Sequence, residues 1–140
     1  NSTVGRLLVP PVILKGVITM SKALFLPTGN ICAMQIMKDF RPDLDFYYSA
    51  IGCDTVDIVS AYALSDIDGL ENVQLIVDDN GLMTDSPQVN ILASLLYGCR
   101  KHGQPIVGNA IVAGFDPDTS ETVPLTDEQI QQIIQIIPKL

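Results

Sequence analysis

Short apolar runs with two different periodicities constrain this fold more than any other feature of the sequence. Aliphatic and β-branched residues form five runs bounded by turn residues, which predict strands near residues 22–26, 31–37, 55–62, 73–77 and 106–113. Apolar residues recur at helical spacing in three other segments, which predict helices near residues 43–51, 87–101 and 127–137. Because both kinds of element are present, we expect an α+β fold.

The composition is typical of one domain with an aliphatic core. The chain has 140 residues, of which 47% are hydrophobic, and it contains no Trp. A chain of this length can bury a core without disulfides or metals. The predicted fold is a small, mostly antiparallel or mixed sheet with two or three helices packed on one face. The alternative is a split β-α-β arrangement with one parallel strand pair.

The first nineteen residues differ from the rest of the chain. Met20 is followed by "SKALFLPTGNICAMQIM", which is typical of the opening of a domain. We therefore expect residues 1–19 to be an N-terminal extension, either an artificial addition or a segment upstream of a native start at Met20. Residues 20–140 would then form the single α+β domain. The alternative is an additional N-terminal strand, which the alternation in "VILKGVIT" indicates.

Two of the predicted helices carry clear end signals. Ser86 is the predicted N-cap of the second helix, with Pro87 at its first position and Gly103 at its end. Thr126 and Gln129 form a T-x-x-Q capping box at the start of the last helix. In both helices the capping side chains would satisfy backbone groups that the first turn leaves unpaired.

Acidic residues are concentrated in one part of the chain. The net charge is −8, and residues 39–85 hold eleven acids against one base, Arg41. Such a surface repels phosphates and disfavours direct nucleic-acid binding, whereas it could attract a basic protein partner. The candidate partner surface consists of the carboxylates of Asp57, Asp66, Asp68, Asp78, Asp79 and Asp85. The alternative is a solvated acidic surface that only keeps the protein in solution.

The segment "VDDNGLMTDSPQVN" is the strongest candidate for a metal or acid/base site. Asp78, Asp79 and Asp85 surround an Asn-Gly pair in it. A calcium loop that began at Asp78 would need Gly at its sixth position and Glu at its twelfth, but Met and Val stand there. The spacing instead predicts a tight turn at Asn80-Gly81, where both residue types tolerate positive φ.

No other residues form a recognisable catalytic or metal-binding pattern. His102 is the single histidine and follows Cys99 by three residues, but zinc needs three or four ligands and no paired Cys/His motif supplies the others. A Cys-His nucleophile pair has no local signature either. We therefore predict no catalytic residue, no metal and no cofactor. The alternative is a small enzyme or ligand-binding domain that uses residues 78–85 or the Cys99/His102 pair.

Cysteine usage and hydropathy bear on the cellular compartment. The three cysteines are far apart and form no C-x-x-C motif, which fits a reducing cytoplasm better than a disulfide scaffold. The segment "RLLVPPVILKGVIT" is interrupted by two prolines and a lysine, and it is too short to span a membrane. We expect a cytoplasmic protein without membrane contact.

Four segments of the chain resemble one protein family. They are "KALFLPTGN", "VDIVSAYAL", "LIVDDNGLMTDSPQVN" and "PIVGNAIVAG". Over about residues 20–115 the chain is similar to the phage and bacterial proteins grouped as domain of unknown function 3846, although "IGCDTVDIV" departs from the Gly-rich pattern that members show before the second strand. The resemblance implies a bacterial or mobile-element context, and it implies no activity and no catalytic residues.

Together these features favour a non-enzymatic accessory or interaction protein that acts through its acidic surface, alone or as a homodimer. One alternative is an acidic nucleic-acid mimic that inhibits a DNA-binding protein, and its carboxylates would stand in rows at phosphate-like spacing. A ligand-binding domain would instead need a concave pocket in which several polar groups converge.

Overall fold

A six-stranded sheet forms the centre of the molecule. The computed structural model describes residues 12–14, 17–29, 33–81 and 87–140. The strands are β1 (Val12–Leu14), β2 (Val17–Thr19), β3 (Ala23–Leu26), β4 (Gln35–Met37), β5 (Val56–Ser60), β6 (Val73–Asp78), β7 (Ala110–Asp116) and β8 (Glu121–Val123). The helices are α1 (Leu44–Ile51), α2 (Ile91–Tyr97), α3 (Cys99–His102) and α4 (Asp127–Ile136), with single 3-10 turns at Tyr62–Leu64 and Ile137–Lys139.

The large sheet has the strand order β4-β3-β7-β6-β5, and β8 pairs with the last residues of β7. Its strand pairings are antiparallel, which confirms the predicted α+β class and the mostly antiparallel sheet. β1 and β2 pair with each other in a separate antiparallel sheet. The last long strand begins at Ala110, four residues later than predicted. β5 lies at one edge of the large sheet, where its outer side is not paired with any described strand.

Apolar side chains cover both faces of the sheet. Leu75 and Val112 belong to the cluster that contains the buried residues of α2 and α4. Their neighbours Ile76 and Ile111 belong to a second cluster, with Tyr47 of α1. Because the central strands are apolar at consecutive positions, both faces need a covering layer. The helices therefore lie on two faces: α2 and α4 pack on one, as the prediction of two or three helices on one face expects, and α1 packs on the other.

The single helix predicted at residues 87–101 is two helices, and the first begins later. α2 starts after Asn90, whose side chain accepts a hydrogen bond from the backbone N–H of Ala93. Asn90 is thus the N-cap, and the predicted cap, Ser86, lies outside the described residues. Gly98 ends α2 with φ of 79°, a left-handed conformation that glycine adopts without steric cost and that interrupts the helix.

The capping box of the last helix is confirmed. The Thr126 hydroxyl accepts from the Gln129 N–H at 3.1 Å, and Gln129 Oε1 accepts from the Thr126 N–H at 2.9 Å. Ile130 and Ile133 follow on the buried face of α4. These local signals therefore position α4 against the sheet as the sequence predicts.

A buried asparagine joins three parts of the fold. Asn90 is only 1% exposed, and its Nδ2 donates to the carbonyl oxygens of Leu26 at 2.8 Å and Gly108 at 2.9 Å. Its Oδ1 accepts from Ala93 N at 3.0 Å, and its own N–H donates to the Ile106 carbonyl oxygen at 2.8 Å. The start of α2 is therefore fixed to the end of β3 and to the segment that leads into β7.

We expect Asn90→Ala to lower the free energy of unfolding by about 3 kcal/mol, because three side-chain hydrogen bonds are lost and buried backbone groups are left unsatisfied. Chemical denaturation followed by circular dichroism measures the change. Asn72→Ala is the matched control, since Asn72 is exposed in the turn before β6, and it should change the stability by less than about 0.5 kcal/mol. A loss below about 1 kcal/mol for Asn90→Ala would contradict the role assigned to this side chain.

Candidate functional site

Three of the six candidate carboxylates lie together at one end of the β5–β6 hairpin. Because the two strands are antiparallel, Asp57 near the start of β5 lies beside Asp78 and Asp79 at the end of β6. The three residues line a cavity of about 160 Å³, together with Tyr97 and Gln104. We call it the acidic cavity. The structure thus brings three acidic residues, a tyrosine and a glutamine around one concave surface next to the open edge of the sheet. The side chains of Asp57 and Asp78 lie on opposite faces of the sheet, because they occupy alternate positions of the β5–β6 register.

Two of these carboxylates also accept hydrogen bonds from nearby backbone. Asp57 Oδ1 accepts from Ile58 N and Asp78 Oδ1 accepts from Asn80 N, both at 2.9 Å. Asn80 Nδ2 donates to Thr55 Oγ1 at 2.8 Å, which ties the turn to the residue before β5. A carboxylate has about four acceptor sites, so these bonds leave acceptor capacity on both side chains.

The predicted turn after β6 is present, but its glycine has a different role from the one expected. Asp79 and Asn80 form the turn, and neither Asn80 nor Gly81 has a positive φ. A Cβ atom at Gly81 would lie 2.8 Å from the carbonyl oxygen of Val107. Glycine is therefore required here because two backbone segments approach closely, and this contact forms part of the cavity lining.

The other candidate carboxylates do not join this group. Asp66 and Asp68 are exposed in the loop at the opposite end of the hairpin. The Asp68 carbonyl oxygen accepts from Gln132 Nε2 at 3.0 Å, which fixes the loop to α4. Asp85 lies outside the described residues. The predicted surface is therefore divided between the two ends of the hairpin.

A second cavity, of about 410 Å³, lies next to the first. Tyr62, Asp66, Leu95, Arg100 and Lys101 are among the residues that line it. The Tyr62 ring packs against the ring of Tyr97, with 5.6 Å between the two centroids, and Tyr97 lines the acidic cavity. Sequence patterns give no signal for this grouping, because it combines residues from separate segments of the chain.

The described residues contain neither a metal-binding cluster nor a membrane-spanning helix. In the part of the chain that the structure describes, no group of three or more His, Cys, Asp or Glu side chains could hold a metal ion. The side chain of His102 lies outside that part, and so does any contact it makes with Cys99. Among the described helices, none is long and apolar enough to cross a membrane.

Cys53 lies near the acidic cavity and is a poor nucleophile. Burial raises the pKa of its thiol, and the negative charges of Asp78 and Asp54 raise it further, while a backbone hydrogen bond at Thr55 acts in the opposite direction. A thiol with a raised pKa holds little thiolate at neutral pH. The thiol therefore does not supply an activated nucleophile to this region.

Comparison with known proteins extends the resemblance noted in the sequence. A family model described as Domain of unknown function (DUF3846) matches residues 22–137. The match begins at the first strand of the large sheet and includes α4, so it spans the residues around both cavities except Leu140, which lines the larger one. No curated protein and no solved structure matches the chain.

We expect Asp78→Asn to increase the rate at which iodoacetamide alkylates Cys53. The substitution removes a negative charge that raises the thiol pKa, and the amide oxygen can still accept from Asn80 N. A lower pKa means more thiolate at about pH 8, so the rate should rise about two- to threefold. Mass spectrometry of the Cys53 peptide measures the rate, and Asp118→Asn, which removes a charge in the β7–β8 turn, is the control. Equal rates in Asp78→Asn and the unmodified protein would show that this carboxylate does not act on the thiol.

Proposed function

The chain belongs to the family grouped as domain of unknown function 3846, and from that premise we propose that it is a non-enzymatic accessory protein that binds a basic protein partner. The partner would dock on the outer edge of β5, beside Asp57, Asp78 and Asp79. A bacterial or mobile-element origin and a cytoplasmic location are parts of the same proposal. No catalytic residue and no cofactor are assigned to the protein.

The observation that carries the proposal is the combination of an open sheet edge with an apolar centre and acidic surroundings. Ile58, in the middle of β5, is 42% exposed. Asp57, Asp78 and Asp79 line a cavity next to this edge, and the side chains of Asp57 and Asp78 flank the edge from opposite faces of the sheet. Protein interfaces commonly have an apolar centre and a polar rim, and charge complementarity guides the approach of the partner. This arrangement supports a partner that is basic around an apolar contact.

The sequence adds an unbalanced charge to this surface. Residues 42–99 contain ten acidic residues and no Lys or Arg. The field of such a segment attracts cations over several ångströms, and salt screens the attraction. A basic partner should therefore associate faster and more tightly at low ionic strength.

The distribution of carboxylates favours an interaction protein over a nucleic-acid mimic. One group lies at the start of β5 and the end of β6, whereas Asp66 and Asp68 lie beyond the other end of the hairpin. Six residues of an extended strand span roughly 20 Å, but a DNA strand carries a phosphate about every 3.4 Å. Two separated groups imitate that continuous row poorly.

A homodimer formed by pairing two β5 edges is less favoured than a different protein partner. The N–H of Ile58 already donates to Asp57 Oδ1, so that donor is occupied in the middle of the strand. A charged residue within a short edge strand also opposes the addition of another strand. The partner is therefore better described as a protein of opposite charge.

The test compares the unmodified protein with Asp57→Asn/Asp78→Asn/Asp79→Asn as baits in host extract, followed by affinity measurements on the purified partner. The triple variant keeps the oxygen atoms and removes three charges, so we expect affinity to fall about tenfold and its salt dependence to decrease. The control is Asp118→Asn/Glu121→Gln/Glu128→Gln, which removes three charges from exposed positions outside the acidic segment. Partners that bind the triple variant and the control equally well would exclude the acidic edge as the docking surface.

A further inference from the structure

We propose that the cavity beside Tyr62 binds a small organic monoanion with an aromatic or aliphatic body. The cavity lies between the 3-10 turn that follows β5 and the corner between α2 and α3. It shares no lining residue with the cavity at the acidic edge, and it holds two cationic side chains, whereas that cavity holds none. The inference does not depend on the protein partner proposed for that edge.

The size and apolar lining of the cavity suit the body of such a ligand. Its volume is about 410 Å³, within the range of pockets that hold small molecules, roughly 300–1,000 Å³. Leu95 contributes aliphatic surface. Tyr62 packs one part of its ring near Tyr97, yet 44% of the residue remains exposed. A partly exposed aromatic ring in a concave site offers a surface on which a planar or aliphatic group can pack.

Two cations supply the recognition of a negative charge. Arg100 and Lys101 both line the cavity, both are exposed, and neither forms an ion pair with any residue that the structure describes. The helix that carries them has four residues, so its dipole gains little from positive charge. Guanidinium and ammonium groups form charge-assisted hydrogen bonds with carboxylates and sulfonates, and these are stronger than neutral ones.

The remaining polar groups limit the charge of the ligand. Asp66 lines the same cavity as Arg100 and Lys101, so the charged side chains of the lining sum to +1, and Leu140, the last residue of the sequence, also lines the cavity. The Ser65 hydroxyl already donates to the Tyr62 carbonyl oxygen at 2.8 Å. A monoanion balances the net charge of these three side chains, whereas a phosphate dianion would meet repulsion from the Asp66 carboxylate. The chemistry therefore points to a carboxylate or a similar singly charged acid.

The experiment uses anilinonaphthalene sulfonate as the monoanionic probe and N-phenyl naphthylamine as a neutral probe with a similar body. Fluorescence titration of the full chain should show saturable binding of the sulfonate. Its affinity should fall at least tenfold in Arg100→Gln/Lys101→Gln, because charge-assisted bonds are lost. The same variant should bind the neutral probe within about twofold of the unmodified protein, since its apolar surface is intact. Tyr62→Ala should weaken both probes.

Two controls show whether any binding belongs to this cavity. Lys38→Gln removes an exposed cation that does not line the cavity, and it should leave both affinities unchanged. Backbone NMR shifts induced by the sulfonate should concentrate at residues 62–66 and 95–101. No saturable binding, an unchanged sulfonate affinity in Arg100→Gln/Lys101→Gln, or shifts centred elsewhere would each overturn the proposal.

Discussion

The side chain of Asn90 fixes the element on which the candidate binding surfaces depend. One amide satisfies the Leu26 carbonyl oxygen at the end of β3, the Gly108 carbonyl oxygen before β7 and the Ala93 N–H in the first turn of α2. Each of these backbone groups would be costly to leave unpaired in the interior. A single polar group therefore sets the position of α2 relative to two central strands, which an apolar contact could not do with the same directionality.

The position of α2 in turn determines both cavities. Tyr97, the last residue of α2, lines the acidic cavity. Leu95, three residues before the end of the helix at Gly98, lines the larger cavity. Gly98 ends the helix and lets the chain change direction, so that Arg100 and Lys101 line the larger cavity. A shift at the start of α2 would therefore change the distance between its tyrosine and Tyr62, and with it the shape of both surfaces.

Local patterns predicted the elements better than they predicted the contacts between them. The capping box at Thr126 and the apolar runs of the central strands depend on neighbouring residues, and both are present in the structure. The cap of α2 was misplaced because Ser86-Pro87 is a stronger local signal than Asn90, whose advantage comes from carbonyl groups distant in sequence. The sequence predicts a positive φ at Gly81. Glycine is instead required there because the backbone of Val107, 26 positions later, lies too close for a side chain. The candidate binding surfaces show the same difference between local signals and contacts distant in sequence. Acidic composition made Asp57, Asp78 and Asp79 candidates, whereas only the tertiary structure brings Tyr62 beside Tyr97.

The fold brings charged residues from separate parts of the sequence close together. Residues 42–99 contain no Lys or Arg, and the next two residues are Arg100 and Lys101. The fold brings these two cations into the same lining as Asp66, from the acidic segment, which reduces local self-repulsion. It also leaves two adjacent cavities whose charged side chains sum to opposite signs, with Tyr97 lining one cavity and Tyr62 lining the other. The acidic side chains of one cavity would attract a basic partner, and the cationic side chains of the other would attract an organic acid. The two ligands would therefore be recognised by different side chains. Substitutions that neutralise one lining therefore test its function without removing the charged groups of the other.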